Sequence, residues 1–436
     1  MNSMAFSIRF ACCLFALLFV ASACAPTFVN KGPLTYDEVP YTSVQGEPWE
    51  VKSVALPELG ALHGVATTPR VAYVELNPEG EQTIIFVHGL GSYLKFWRYQ
   101  LDYFASKGYR VLAIDMIGYG RSDKPATFPY TMEAMGDVLK LFIEKTDSYK
   151  PIVVGHSMGG QTALSFAIRY PDIARGLVLT APAGFEKFSE KEKLWFESVF
   201  TVNFIKSATE EEIWGSVRRN NFYRWEKEYT WLVEERVRLA LSDEFDAYAY
   251  ANVRSVQGLT RNDFVRENAR HIQIPVLIVH GDMDRLIPNP FLHGGNTIKV
   301  MKYGASEIPD ARLETLRRCG HTIQMDCHGE YNALVEGYLS EVFPTPPERP
   351  AAPAVVEPEL PETPSVPEVQ PKDKPEAIEQ VPADARLEGE GEEEEGEGGD
   401  AEVVPEDTAT PDTPEDTTKA REDGEAVGPG SESVSE

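Results

Sequence analysis

The chain is poor in cysteine, has no surplus of positive charge, and lacks an apolar run long enough to cross a bilayer comfortably. Five cysteines occur in 436 residues, with no Cys-x-x-Cys and no paired His-x-x-x-His spacing, so a zinc site is not expected. Lys and Arg number 41 against 69 Asp and Glu, a formal net charge of −28. Such a balance repels phosphate backbones, which argues against nucleic acid as a partner. No nucleotide-binding or metal-binding motif is found, and no cofactor is expected.

The acidity is unevenly spread. Residues 345–436 hold 28 acidic and 6 basic residues, leaving 41 and 35 for residues 1–344. That carboxyl-terminal stretch is dense in Pro, Glu, Ala, Thr and Asp, includes Glu392–Glu395, and has almost no aromatic residues. Too little apolar surface is available there to offset the entropy of ordering, so a disordered acidic tail is expected. The composition fits a solubilising brush, a spacer or a partner-binding tail equally well.

The amino terminus has the order of a targeting segment. Residues 1–9 end on Arg9, an apolar run follows from Phe10 to Val20, and Ala21-Ser22-Ala23-Cys24 closes it. Ala21-Ser22-Ala23 suits ordinary signal cleavage after residue 23. The same residues resemble the bacterial lipobox, with Cys24 as the lipidated first residue, although Ala21 stands where that pattern prefers Leu. The cysteine at that one position favours the lipoprotein reading. Residues 24–50, polar and turn-rich, then read as a tether close to a membrane. A retained anchor helix would also place the body outside the cytoplasm. In that oxidising setting Cys319 and Cys327 form an even pair around His321. A short disulfide and two unpaired core residues both remain open.

Between these ends, short β-branched runs alternate with helical patterns, the mark of an α/β domain over residues 51–344. Strands are expected at 70–76, 83–87, 109–114, 151–154, 176–180, 275–279 and 311–316, with a turn at 77–80. Chemistry in such sheets sits beyond the carboxyl ends of strands. After the strand 151–154 comes Gly155-His156-Ser157-Met158-Gly159-Gly160, then a helical run to Arg169. This is a Gly-x-Ser-x-Gly turn in strand–turn–helix context. The glycines admit a turn too sharp for side chains, and the helix terminus favours negative charge beside Ser157. Gly118–Ser122 lacks that setting and reads as a loop.

A serine nucleophile needs a base, and the base an orienting acid. The strand 275–279 leads into His280-Gly281-Asp282-Met283-Asp284, and the strand 311–316 leads into Arg317-Arg318-Cys319-Gly320-His321. With His88–Ser92, Asp115–Pro125, Gly155–Gly159, Gly281–Pro288 and Gly320-His321, the chain resembles the α/β-hydrolase superfamily in its esterase, epoxide-hydrolase and C–C-hydrolase branch. The resemblance implies Ser157 as nucleophile, Asp284 as triad acid and His321 as base. Asp282 is the rival acid. The resemblance further implies an oxyanion hole from the amides of Met158 and Leu90, with Gly91 as rival to Leu90, and structural roles for His88 and Asp115. His156 and His280 read as packing residues. Epoxide hydrolases and haloalkane dehalogenases of this fold use Asp at the nucleophile position, so Ser157 points to acyl-enzyme chemistry on a small-molecule acyl substrate.

The segment 184–269 is too long for a plain connection and reads as helical. It carries Trp195, Trp214, Trp225 and Trp231, and is expected to cap the site with an apolar underside. A serine esterase is therefore expected, with a C–C or amide hydrolase as the alternative. A non-catalytic surface lipoprotein that merely keeps the fold is the competing class.

Overall fold

A computed structural model describes residues 27–349. The targeting segment with Cys24, and the acidic stretch from residue 350 on, lie outside the described residues. Eight strands form one sheet in the order β1-β2-β4-β3-β5-β6-β7-β8. They are β1 (Val51–Ala55), β2 (Arg70–Leu76), β3 (Thr83–Val87), β4 (Arg110–Ile114), β5 (Ile152–His156), β6 (Gly176–Thr180), β7 (Val276–Gly281) and β8 (Ala311–Leu316). β2 runs antiparallel to both β1 and β4; every pairing from β4 to β8 is parallel. β1 was not expected from the sequence. Its alternation is short and lies at the sheet edge, where burial is only partial.

The central strands β3, β5 and β6 are buried at every position. Helices cover both faces, so each strand needs apolar side chains in both directions, and runs such as Ile152-Val153-Val154 supply them. Each such side chain contributes roughly 1.5–3 kcal/mol on burial. The turn at 77–80 is present, with Gly80 N donating to Asn77 O at 3.0 Å. It does not make a hairpin, because β4 lies between β2 and β3. Gly80 passes so close to β4 that a Cβ on it would stand 2.2 Å from Arg110 N.

The tether reading needs correction over its described part. Leu34, Tyr36, Val39 and Tyr41 are buried in the main core. Leu34 N donates to Arg238 O at 3.1 Å, and Tyr41 Oη donates to Asp115 Oδ2 at 2.6 Å. Residues 34–41 thus belong to the folded domain. Their apolar groups follow no helical or strand period, so a periodicity reading passes over them.

Between β6 and β7 the chain leaves the sheet and builds a helical layer, from Glu190–Val199 through Thr230–Leu239 and Phe245–Thr260 to Phe264–Asn268. Thr209 and Glu212 form a capping box at the start of Glu210–Ser216, and Ser189 with Glu192 another at Glu190. Among the described residues no helix is long and apolar enough to cross a membrane.

Candidate active site

β5 ends at His156 and the helix Met158–Arg169 starts two residues later, so Ser157 alone must reverse the chain. It does so at φ +52° and ψ −113°. A non-glycine residue held there costs about 1–3 kcal/mol and persists only where its surroundings enforce it. The enforcement is visible: Ser157 N donates to Thr180 O at 3.0 Å, and Ser157 O accepts from Gly160 N at 2.9 Å and Ala183 N at 3.0 Å. The glycines are sterically required. A Cβ on Gly155 would sit 2.3 Å from Gly159 O, and one on Gly159 would sit 2.3 Å from Val87 O.

The loop after β7 places Asp284 with its carboxylate wholly buried. One oxygen, Oδ1, accepts from the amides of Leu286 at 2.8 Å and Ile287 at 3.2 Å. The other, Oδ2, accepts from His321 Nδ1 at 2.8 Å. That bond puts the imidazole proton on Nδ1 and leaves Nε2 as an acceptor, the tautomer a general base needs. Asp282 is exposed and accepts from Arg318 N at 2.6 Å, which fastens the start of the histidine loop. Of the two acids, Asp284 meets the histidine.

His321 is carried beside the serine by His156. The His156 Nε2–H donates to His321 O at 3.2 Å, and the two ring centres lie 4.9 Å apart. Burial, aided by the neighbouring His321, holds His156 well below the usual histidine range, so it stays neutral. Ser157 Oγ and His321 Nε2 are not hydrogen-bonded in this structure; such contacts often tighten only around substrate. Cys319 and Cys327 are disulfide-bonded across the histidine loop, with Cα atoms 6.0 Å apart.

The loop after β3 passes over the serine, since a Cβ on Gly89 would lie 3.2 Å from Ser157 Cβ. His88 organises it: Nδ1 donates to Gly89 O at 2.8 Å and Nε2 accepts from Met116 N at 3.0 Å. Burial pushes its pKa down to about 4. Both of its nitrogens are engaged, so it is a loop organiser. Asp115 holds the same region by accepting from Leu94 N at 2.8 Å and Arg121 N at 2.9 Å, and burial raises its pKa to about 6. Leu90 and Gly91 both face the cavity under the helical layer, and Met158 opens the helix behind the serine.

That cavity, about 900 Å³, lies between Leu90, Gly91 and Thr322 on the sheet side and Phe200, Ile205, Ile213, Val217 and Phe222 of the helical layer. Polar contacts from two acids help tie the layers together. Lys95 of the sheet side pairs with Glu235 of the cap, both nearly sealed from solvent, and Tyr93 Oη also donates to Glu235. Asp326, which sequence reading missed, accepts from Gly320 N and from Tyr223 N, each at 2.6 Å. The histidine loop is therefore bonded to the cap backbone; no local motif marks Asp326, because its partners are amides 103 and 6 residues away.

A model of the alpha/beta hydrolase fold matches residues 82–326, more than half of the chain. The chain belongs to the alpha/beta hydrolase fold family. Epoxide hydrolase 3 of Xenopus tropicalis is 27% identical to it over 288 residues, covering 63% of this chain and 76% of that protein. Human Protein ABHD8 is 24% identical over 283 residues, 62% and 60% of the two chains. The 2-hydroxymuconate semialdehyde hydrolase of Pseudomonas putida is 28% identical over 256 residues, 54% and 79%. A solved structure titled a "probable hydrolytic enzyme", from Pseudomonas aeruginosa PAO1, superposes with a TM-score of 0.60 at 22% identity, covering 70% of this hydrolase and 98% of that chain. At that identity it shows the shared fold.

Proposed function

We propose that this hydrolase is a serine esterase that cleaves a carboxylic ester or related acyl bond through an acyl-enzyme intermediate. The observation that carries the reading is the buried Asp284–His321 pair, held beside a serine on an enforced left-handed turn. In this mechanism Ser157 Oγ attacks the carbonyl carbon while His321 Nε2 takes its proton. The amides of Met158 and Leu90 receive the oxyanion. His321 then protonates the leaving group, and water, activated by the same histidine, releases the acid and frees Ser157.

Serine chemistry separates this hydrolase from the activity named for its epoxide-hydrolase relative. Opening an epoxide with a serine alkoxide would form an ether between Oγ and carbon. Water has no carbonyl to attack in that ether, so turnover would stop; an acyl ester on Ser157 keeps one. Similarity to a semialdehyde hydrolase supports, as second reading, cleavage of a C–C bond next to a ketone by the same three residues.

The decisive experiment is labelling by a fluorophosphonate probe, with turnover of a p-nitrophenyl ester panel. Labelling and turnover that vanish in Ser157→Ala support the reading. Failure of the wild type in both assays rejects it, and leaves a scaffold that keeps the fold without the chemistry. We further propose export, which the paired Cys319 and Cys327 support, and lipidation at Cys24, on the small-residue pattern that precedes it. Metabolic labelling with a fatty-acid analogue that is lost in Cys24→Ala tests this.

A further inference from the structure

One end of the cap cavity carries polar groups that the proposed acyl chemistry does not use. Arg236, on the cap helix Thr230–Leu239, lines the cavity, yet its Nη1 is buried without a hydrogen-bond partner. Its guanidinium meets only ring faces, with its carbon 4.6 Å from the centre of Phe245 and 5.0 Å from that of Tyr248. Tyr36 lines the same corner at 3% exposure, and its Oη is likewise buried and unpartnered. A guanidinium and a phenol, both able to donate, thus share one cavity wall with no acceptor between them.

Nearby carboxylates are engaged elsewhere. Glu244 Oε2 accepts from the Tyr36 amide at 3.0 Å, and Glu235 is taken by Lys95 and Tyr93. Glu212, the one acid lining the cavity among the described residues, closes its own helix cap on Thr209. Lys124 Nζ lies 4.1 Å over the Tyr36 ring and adds positive charge behind the corner. A guanidinium nitrogen buried without a partner is costly, and the planar fork of the half-buried Arg236 matches an oxyanion group. The corner also connects to the reacting end, because Tyr248 Oη donates to Gly91 O at 3.4 Å, next to Leu90.

We propose that Arg236 and Tyr36 form a subsite for an oxyanion group, carboxylate or phosphate, at the end of the substrate remote from the bond that is cut. The substrate class is then an ester whose chain is apolar in the middle and anionic at its far end. This inference rests on the esterase reading, so two measurements are needed.

The first compares kcat/KM for mono-p-nitrophenyl suberate and p-nitrophenyl octanoate, with an ω-phosphate ester of similar length as third arm. The wild type should prefer an anionic ester at least about tenfold, mainly through KM. In Arg236→Met that ratio should fall to near one, Arg236→Lys should keep part of it, and Tyr36→Phe should lower it a few-fold. Whichever anionic arm is preferred identifies the group. A wild-type ratio near one, or a ratio unchanged in Arg236→Met, overturns the subsite and leaves the esterase reading intact. The second measurement does not need catalysis: calorimetric binding of monomethyl suberate and methyl octanoate to Ser157→Ala protein. Tighter binding of the charged ligand, lost on adding Arg236→Met, supports the subsite even if every ester proves a non-substrate. Equal binding of the two ligands rejects it.

Discussion

Replacing Asp284 by Asn should abolish most of the proposed activity without unfolding the protein, and the reason is directional. The carboxylate spans two kinds of partner: Oδ1 faces two amide donors, Leu286 and Ile287, while Oδ2 faces His321 Nδ1. An asparagine must keep its oxygen toward the two amides, because the opposite flip would set its NH2 against two N–H groups. Its NH2 then points at His321 Nδ1, which can only accept. The histidine proton moves to Nε2, the atom that must take the proton from Ser157. A wrong tautomer of this kind costs about ten-thousand-fold in kcat, or roughly 5 kcal/mol of barrier. KM should change little, since the cavity wall is untouched. The assay is kcat on the best p-nitrophenyl ester, together with the rate of fluorophosphonate labelling. Asp282→Asn is the control, because that exposed carboxylate holds only the Arg318 amide; its effect should stay within a few-fold. Retention of a tenth or more of wild-type kcat in Asp284→Asn, or an equal collapse in Asp282→Asn, would refute the assignment of the acid.

Three further outcomes are expected. Lys95→Met should destabilise the protein by about 3–5 kcal/mol in urea denaturation, since it leaves Glu235 buried and unpaired, and Lys95→Met with Glu235→Leu should recover most of the loss; an unrecovered double variant would show that packing dominates. His88 has a folded pKa of about 4 against an ordinary 6.5, so its contribution, about 3 kcal/mol, is present above pH 6.5 and is lost as pH falls toward 4. His156 acts in the same direction, whereas the penalty on Asp115 is present above its raised pKa of about 6 and is relieved on the way down to 3.8. The drop in urea midpoint between pH 7 and pH 4.5 should therefore be smaller in His88→Asn than in the wild type, and an equal drop in the two proteins would contradict the burial argument. Cys319→Ser with Cys327→Ser opens a loop of sequence separation 8, which should cost about 2–3 kcal/mol and lower kcat by loosening the His321 loop; unchanged melting and turnover would count against a positioning role.

The sequence carried those parts of the molecule whose physics is local. The Ser157 turn is legible because two glycines, a preceding β-branched run and a following helix must occur within about fifteen residues for it to form at all. β3, β5 and β6 are legible because a strand covered on both faces is almost wholly apolar. β1 was missed for the converse reason: at the edge, one face suffices, and five residues give too short an alternation to read. Residues 34–41 defeated the reading differently, since their tyrosines and aliphatics fill gaps between elements and obey no period.

The polar contacts that join distant segments were the least legible, and they share a physical form. Asp326 acts on the backbone amides of Tyr223 and Gly320, and amides have no residue identity for a motif to record. Glu235 is an ordinary helix glutamate until Lys95 and Tyr93 of another segment close over it. Arg236 is its neighbour on the same helix and looks the same in sequence, yet it meets aromatic faces where Glu235 meets an ion partner. The difference between a satisfied charge and an unsatisfied one is set wholly by what the other layer presents. The proposed chemistry at the serine can therefore be read along the chain, whereas the proposed selection of the substrate is written across the seam between sheet and cap, where adjacent residues have opposite fates.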